Sequence, residues 1–176
     1  MGKRYVMGNR PDGLSDILIE DEFNLSDEKP YKELWLNTET PADMSAPGDP
    51  VADQQMIHEP PEGGALLRVL SMPPESSRRL PTPEQMVEYH VNVLHSANVP
   101  TLEYLRKARH ISMHKTDTLS YSIIIEGEMW ALSEGRDVLL KPGDVLIKKG
   151  CMHGWRNDSD KRCVWVAILI DGIPIK

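Results

Sequence analysis

Over short runs along most of this chain, apolar and polar residues alternate with a period of two, the spacing that sends successive side chains to opposite faces of a strand. The first runs are Arg4 to Gly8 and Ser15 to Asp21, separated by the turn-forming stretch Asn9-Arg10-Pro11-Asp12-Gly13, and they predict two antiparallel strands. Tyr31 to Asn37 sets Tyr31, Glu33 and Trp35 against Lys32, Leu34 and Leu36 and predicts a third. Gly64 to Met72 is an apolar run of strand length, closed by Pro73-Pro74, whose fixed φ and missing N–H stop a ladder. Between these last two, Pro41, Pro47, Pro50, Pro60 and Pro61 interrupt any regular pairing and mark an ordered surface arm or crossover loop.

The period changes to three and four after Thr82. Thr82 suits an N-cap, Pro83 the first helical position and Gln85 the far corner of a capping box; Met86, His90, Val93, Leu94 and Ala97 then draw one apolar face up to Asn98 and Pro100. A short second helix is predicted over Leu102 to Ala108. His90 and His95 read as surface or packing residues, because neither has a ligand partner four residues on. Beyond His110 the strand period returns in quick succession: Ser120 to Glu126, Glu128 to Ser133, Asp137 to Lys141, Asp144 to Lys149, Gly154 to Asn157 and Cys163 to Ile170. Gly127, Glu134-Gly135, Pro142-Gly143, Gly150 and Asn157-Asp158-Ser159-Asp160 separate them. Evenly spaced short strands with such turns predict a mainly β sandwich or barrel.

At 176 residues the chain fits one structural domain, with residues 1–109 supplying N-terminal strands, arm and helix, and residues 110–176 the barrel core. A net charge of −7 with no basic cluster longer than a pair excludes a general nucleic-acid binder. No run approaches the roughly 18 apolar residues that span a bilayer, and Met-Gly-Lys-Arg-Tyr-Val has no apolar segment behind it, so no membrane partner and a cytoplasmic location are expected. Cys151 and Cys163, without C-x-x-C spacing, read as reduced thiols.

The chemistry concentrates around two histidines. On a strand His153, Trp155 and Asn157 share one face, and by the same alternation so do His110, Ser112 and His114, with Thr116 following. Pro142-Gly143-Asp144, Gly150, His153 and Asn157 in that order, and upstream His114, Thr116, Ser120 and Gly127, resemble the two motifs of the cupin superfamily, double-stranded β-helix (jelly-roll) barrels. His110-Ile-Ser-Met-His114-Lys-Thr-Asp117-Thr resembles a subgroup of small cupins with a Met-His-Arg-Thr-Asp-Thr signature.

The resemblance implies a barrel pocket for a small organic molecule, and in a complete site a divalent ion held by three histidines and a carboxylate. Here Thr116 and Ser120 stand at two of those four positions, and neutral hydroxyls are poor ligands for Fe, Mn, Ni or Zn. Two readings therefore stay open: a reduced metal site in which His110 or Asp117 joins His114 and His153, or a metal-free pocket in which the two imidazoles hydrogen-bond a ligand or one another. His114 and His153 are the natural proton carriers, with Asp117 orienting one of them, because imidazole titrates near neutral pH. Trp130, Trp155, Tyr121, Asn157 and Thr116 are the expected substrate wall. The expected activity is dehydration, isomerisation, decarboxylation or oxygenation of a small aromatic, polyketide-like or hydroxy-acid compound. The alternative is a non-catalytic ligand-binding or sensing barrel. The N-terminal strands and Pro-rich arm predict a homodimer, since pairing would cover an open strand edge.

Overall fold

Alternation becomes pairing in the computed structural model, which describes residues 2–174. The strands are β1 (Gly2–Asn9), β2 (Ser15–Phe23), β3 (Tyr31–Asn37), β4 (Ala65–Met72), β5 (Thr118–Glu126), β6 (Met129–Leu132), β7 (Val138–Leu140), β8 (Val145–Lys149), β9 (Gly154–Arg156) and β10 (Cys163–Asp171); the helices are α1 (Pro83–Asn92) and α2 (Leu102–Lys107). An antiparallel five-stranded sheet runs β3-β4-β10-β5-β8, and a three-stranded sheet runs β7-β6-β9. Both are rich in side chains buried against one another, the two-layer arrangement of a jelly roll. The larger sheet takes in β3 and β4, so the barrel draws on strands from before residue 110; the last two positions of the 110–176 assignment lie outside the described residues.

Strand β10 buries Cys163, Trp165, Ala167 and Leu169 on one face, and they join Leu36, Leu66, Ile124, Met129, Leu140 and Trp155 in the core. Its neighbour β5 sends Thr118, Ser120 and Ser122 inward, three small hydroxyl side chains that leave space in the barrel. Between β5 and β6 the chain turns at Gly127 with φ +71°, where a Cβ would stand 2.4 Å from the Arg162 carbonyl oxygen. Only glycine meets both conditions.

The Pro-rich stretch is an ordered arm. Val51 lies in the core, a burial that contributes about 1.5–3 kcal/mol. Arg4 on β1 donates to both Asp21 on β2 and Asp49 in the arm, and to the Leu34 carbonyl, so one guanidinium ties hairpin, arm and sheet together. Helix α1 begins as its capping box predicts, with the Gln85 amide donating to Thr82 Oγ1 and the Thr82 amide to Gln85 Oε1. It stops at Asn92, short of the expected end. The weak helix formers Val91, Asn92 and Val93 close it, His95 turns at φ +48°, and the Ser96 amide folds back onto the His90 carbonyl. Val93 and Ala97 consequently face solvent, and His90 is the buried residue of the helix.

Candidate functional site: an imidazole cluster in the barrel

His114 and His153 lie across from each other in an isolated antiparallel bridge, each backbone amide donating to the other's carbonyl at 2.8 and 2.9 Å. Their rings are in contact, tilted at 53° with centroids 4.4 Å apart. Residues 110–113 form a bend and turn instead of the expected strand, and Ser112 replaces the missing ladder. Its Oγ accepts from the Trp155 amide at 2.8 Å and donates to the Trp155 carbonyl at 2.9 Å.

Each ring is oriented by a backbone carbonyl. His114 Nδ1 donates to the Ser112 carbonyl at 2.8 Å, and His153 Nδ1 to the Cys151 carbonyl at 2.9 Å. In the neutral ring this leaves Nε2 as the acceptor. His153 Nε2 is taken by Lys148 Nζ at 2.9 Å, from strand β8.

Two further imidazoles complete the cluster. His58 comes from the arm and His90 from α1; their ring centroids lie 5.0 and 5.5 Å from that of His114. Both Nδ1 atoms rest on Ser96 Oγ, at 2.8 Å for His58 and 2.9 Å for His90. A hydroxyl has one proton, so at least one of these rings carries its own on Nδ1 and offers Nε2 as a lone pair.

Burial holds all four rings uncharged at neutral pH. It lowers the His58 pKa to about 2, that of His114 to about 3 and that of His90 to about 4, and drives His153 well below its ordinary value. Burial, assisted by the charge of Arg68, lowers Lys148 to about 7.

His58, His90 and His114 border a cavity of about 780 Å³ whose other walls include Tyr31, Leu70, Met86, Tyr89, Trp155 and Trp165. Arg68 also lines it, its guanidinium 3.1 Å from Glu33 Oε1 in a buried ion pair. His153 and Lys148 border a second cavity of about 260 Å³. Trp155 belongs to both linings, so this indole and the tilted His114–His153 pair form the wall between the two spaces.

Of the residues singled out in the sequence, His114, His153 and Trp155 meet here and the others lie elsewhere. His110, at the edge of the larger cavity, has Nδ1 on Ser112 and Nε2 on Glu75 Oε2 at 2.9 Å, which leaves no nitrogen for a shared ion. Asp117 accepts from Asn98 and pairs with Lys115, contacts that hold its pKa low and keep it from orienting either histidine. Thr116 is buried against Thr118, their hydroxyls 3.0 Å apart. Tyr121 points away from the face that carries Ser120 and Ser122, and Trp130 lies on the outer face of its sheet beneath the Arg156 guanidinium. Asn157 builds a turn, donating to the Met72 and Lys161 carbonyls and accepting from Ser159. Cys151 contributes its carbonyl, while its thiol is exposed.

The donor set does not fit the divalent ion that the cupin resemblance implies. Lys148 Nζ takes the nitrogen with which His153 would bind, Thr116 and Ser120 offer only hydroxyls, and among the described residues no three His, Cys, Asp or Glu side chains converge as a ligand set.

No family model matches the sequence. The chain is 24% identical to phomopsin biosynthesis cluster protein C' of Diaporthe leptostromiformis, over 94% of this chain and 70% of that protein. A shorter match, 40% identical, joins 29% of this chain to 26% of the cupin-domain-containing oxidoreductase srdB of Neurospora crassa. Among solved structures, a predicted oxalate decarboxylase from Thermotoga maritima superposes with a TM-score of 0.36 at 20% identity, covering 60% of this chain and 64% of that one. Over those shorter stretches the chain is similar to cupin-domain proteins, and its antiparallel strands lie in a five-stranded and a three-stranded sheet. No helix among the described residues is long and apolar enough to cross a membrane.

Proposed function

We propose that the chain is a cupin, and an enzyme that moves protons on a small oxygenated organic molecule bound in the larger cavity. The observation that carries the reading is the convergence of His58, His90 and His114, all uncharged, on one end of a space whose walls are largely apolar and aromatic. A cavity of about 780 Å³ is within the usual range of pockets for small organic ligands.

An imidazole with a pKa near 3 is a weak base in the empty pocket. A substrate carboxylate or enolate changes that, because a negative charge beside the ring favours the imidazolium and raises its pKa toward the working pH. His114, fixed by the Ser112 carbonyl, then accepts a proton at Nε2 and returns it to another atom of the same molecule. His58 and His90 hold the substrate's hydroxyl groups, and Arg68, although paired with Glu33, supplies positive charge at the wall. Dehydration and isomerisation of a hydroxy acid or polyketide-like compound need this much and no more. Relatives named for the phomopsin and oryzines biosynthesis clusters support a place in the biosynthesis of an organic product.

The test is solvent deuterium exchange, followed by NMR, into a panel of hydroxy acids, enones and polyketide-like compounds. Wild-type protein is expected to label or convert at least one member, and His114→Ala/His153→Ala to lose that activity. Turnover unchanged in the double variant would sink the enzyme reading and leave a binding barrel. Activity abolished by a chelator and restored by Fe, Mn, Ni or Zn would return a metal to the mechanism.

A further inference from the structure

The smaller cavity holds chemistry that the reading above does not use. Lys148 enters the barrel from β8 and directly faces Ser120 on β5, a register in which the two Cβ atoms of an antiparallel pair stand about 4.5–5.5 Å apart on one face. Its amine lies 4.8 Å from the centroid of the Trp155 ring and 2.9 Å from His153 Nε2. Among the described residues no carboxylate stands within ion-pair distance of it, unlike Lys107 on Glu103 or Lys115 on Asp117. Lys148 nevertheless keeps some of its surface open. Beside it, Ser120 Oγ is fully buried and without a hydrogen-bond partner.

We propose that Lys148 is a nucleophile that captures a small aldehyde or ketone as an imine in the 260 Å³ cavity, with His153 relaying the protons. The lone pair of Nζ forms the N–C bond while the carbonyl π electrons move to oxygen. His153 Nε2 takes the proton lost by nitrogen, its Nδ1 proton remaining on the Cys151 carbonyl. The imidazolium hands that proton to the alkoxide oxygen, which becomes a hydroxyl, and Nε2 is again free to accept. Nε2 then takes the second nitrogen proton and passes it to the hydroxyl as the C–O bond breaks and the C=N bond forms, so that water leaves with both of the protons that nitrogen gave up. Amine and carbonyl go in, imine and one water come out, and no other reactant is needed. The cavity's size and its lining by Leu132, Leu146 and Met152 select a short apolar carbonyl compound.

The experiment treats the full chain at neutral pH with limiting butanal and cyanoborohydride, which fixes the imine as a butyl-amine, and maps the label by peptide mass spectrometry. Lys148 is expected to be labelled about ten-fold faster than the exposed Lys107 and Lys141. His153→Gln is expected to slow labelling at Lys148 about a hundred-fold while leaving both surface lysines unchanged. Lys148→Arg, checked for fold by circular dichroism, is expected to remove the fast site. Labelling of Lys148 no faster than that of Lys107 in folded wild-type protein would overturn the proposal, as would a His153→Gln rate equal to wild type. Neither result depends on activity in the larger cavity.

Discussion

The four buried imidazoles set the pH response of the molecule. A histidine in the unfolded chain takes up a proton near pH 6.5, whereas His58, His90 and His114 resist it until about pH 2 to 4. Between those limits the unfolded state binds more protons, so the contribution of these rings to stability is fully present above pH 6.5 and is lost as the pH falls. The loss is up to about 1.4 kcal/mol per pH unit for each ring. Lys148 has the same sign higher up, since its folded pKa near 7 lies below the unfolded value and stability rises above neutrality. Urea melts are expected to show a midpoint that drops between pH 7 and pH 5, and a shallower drop in His58→Gln/His90→Gln. A flat midpoint over that interval would mean that the rings are not held neutral by burial.

At the scale of elements, helix α1 carries His90 into the cluster, and its capping box fixes where it starts. Thr82→Ala removes a side-chain acceptor from the Gln85 amide and is expected to lower stability by about 1 kcal/mol in denaturant melts. No loss would show that packing alone holds the helix start. That start was legible in the sequence because a capping box is a local signal, as were the alternating strands and the pairing of His114 with His153. The remaining members of the cluster were not. His58 sits in an arm with no period, His90 lacks a partner at helical spacing, and Lys148 reads as one of two adjacent lysines on an edge strand. What joins them is Ser96 Oγ, 38 positions from His58, and a strand register that puts Lys148 opposite Ser120. Conversely, alternation misplaced Asn157 and His110 because β9 ends at Arg156 and residues 110–113 are a turn.

At the scale of the whole molecule, the arrangement of exposed apolar side chains bears on assembly. The β1–β2 hairpin forms a sheet of its own and leaves Tyr5, Met7, Leu14, Ile17 and Leu18 exposed. A second copy of the chain is the expected cover, since pairing hairpins would bury these side chains and close an open strand edge. Light scattering is expected to give about twice the 19.9 kDa of one chain, and Met7→Lys/Leu18→Lys to return the monomer. A wild-type species of one chain's mass would refute the dimer.

The larger cavity is closed by three stretches of chain that are far apart in sequence: the arm through His58, the loop after α1 through Ser96, and the barrel through His114. None of them supplies a working pocket alone. The imidazole cluster is therefore a property of the finished fold, and a barrel whose arm has come loose is expected to retain its sheets while losing His58 from the cluster. Along an unfolding curve, ligand recognition should vanish before the β signal does, so the pocket serves as its own certificate that the last piece of chain is in place.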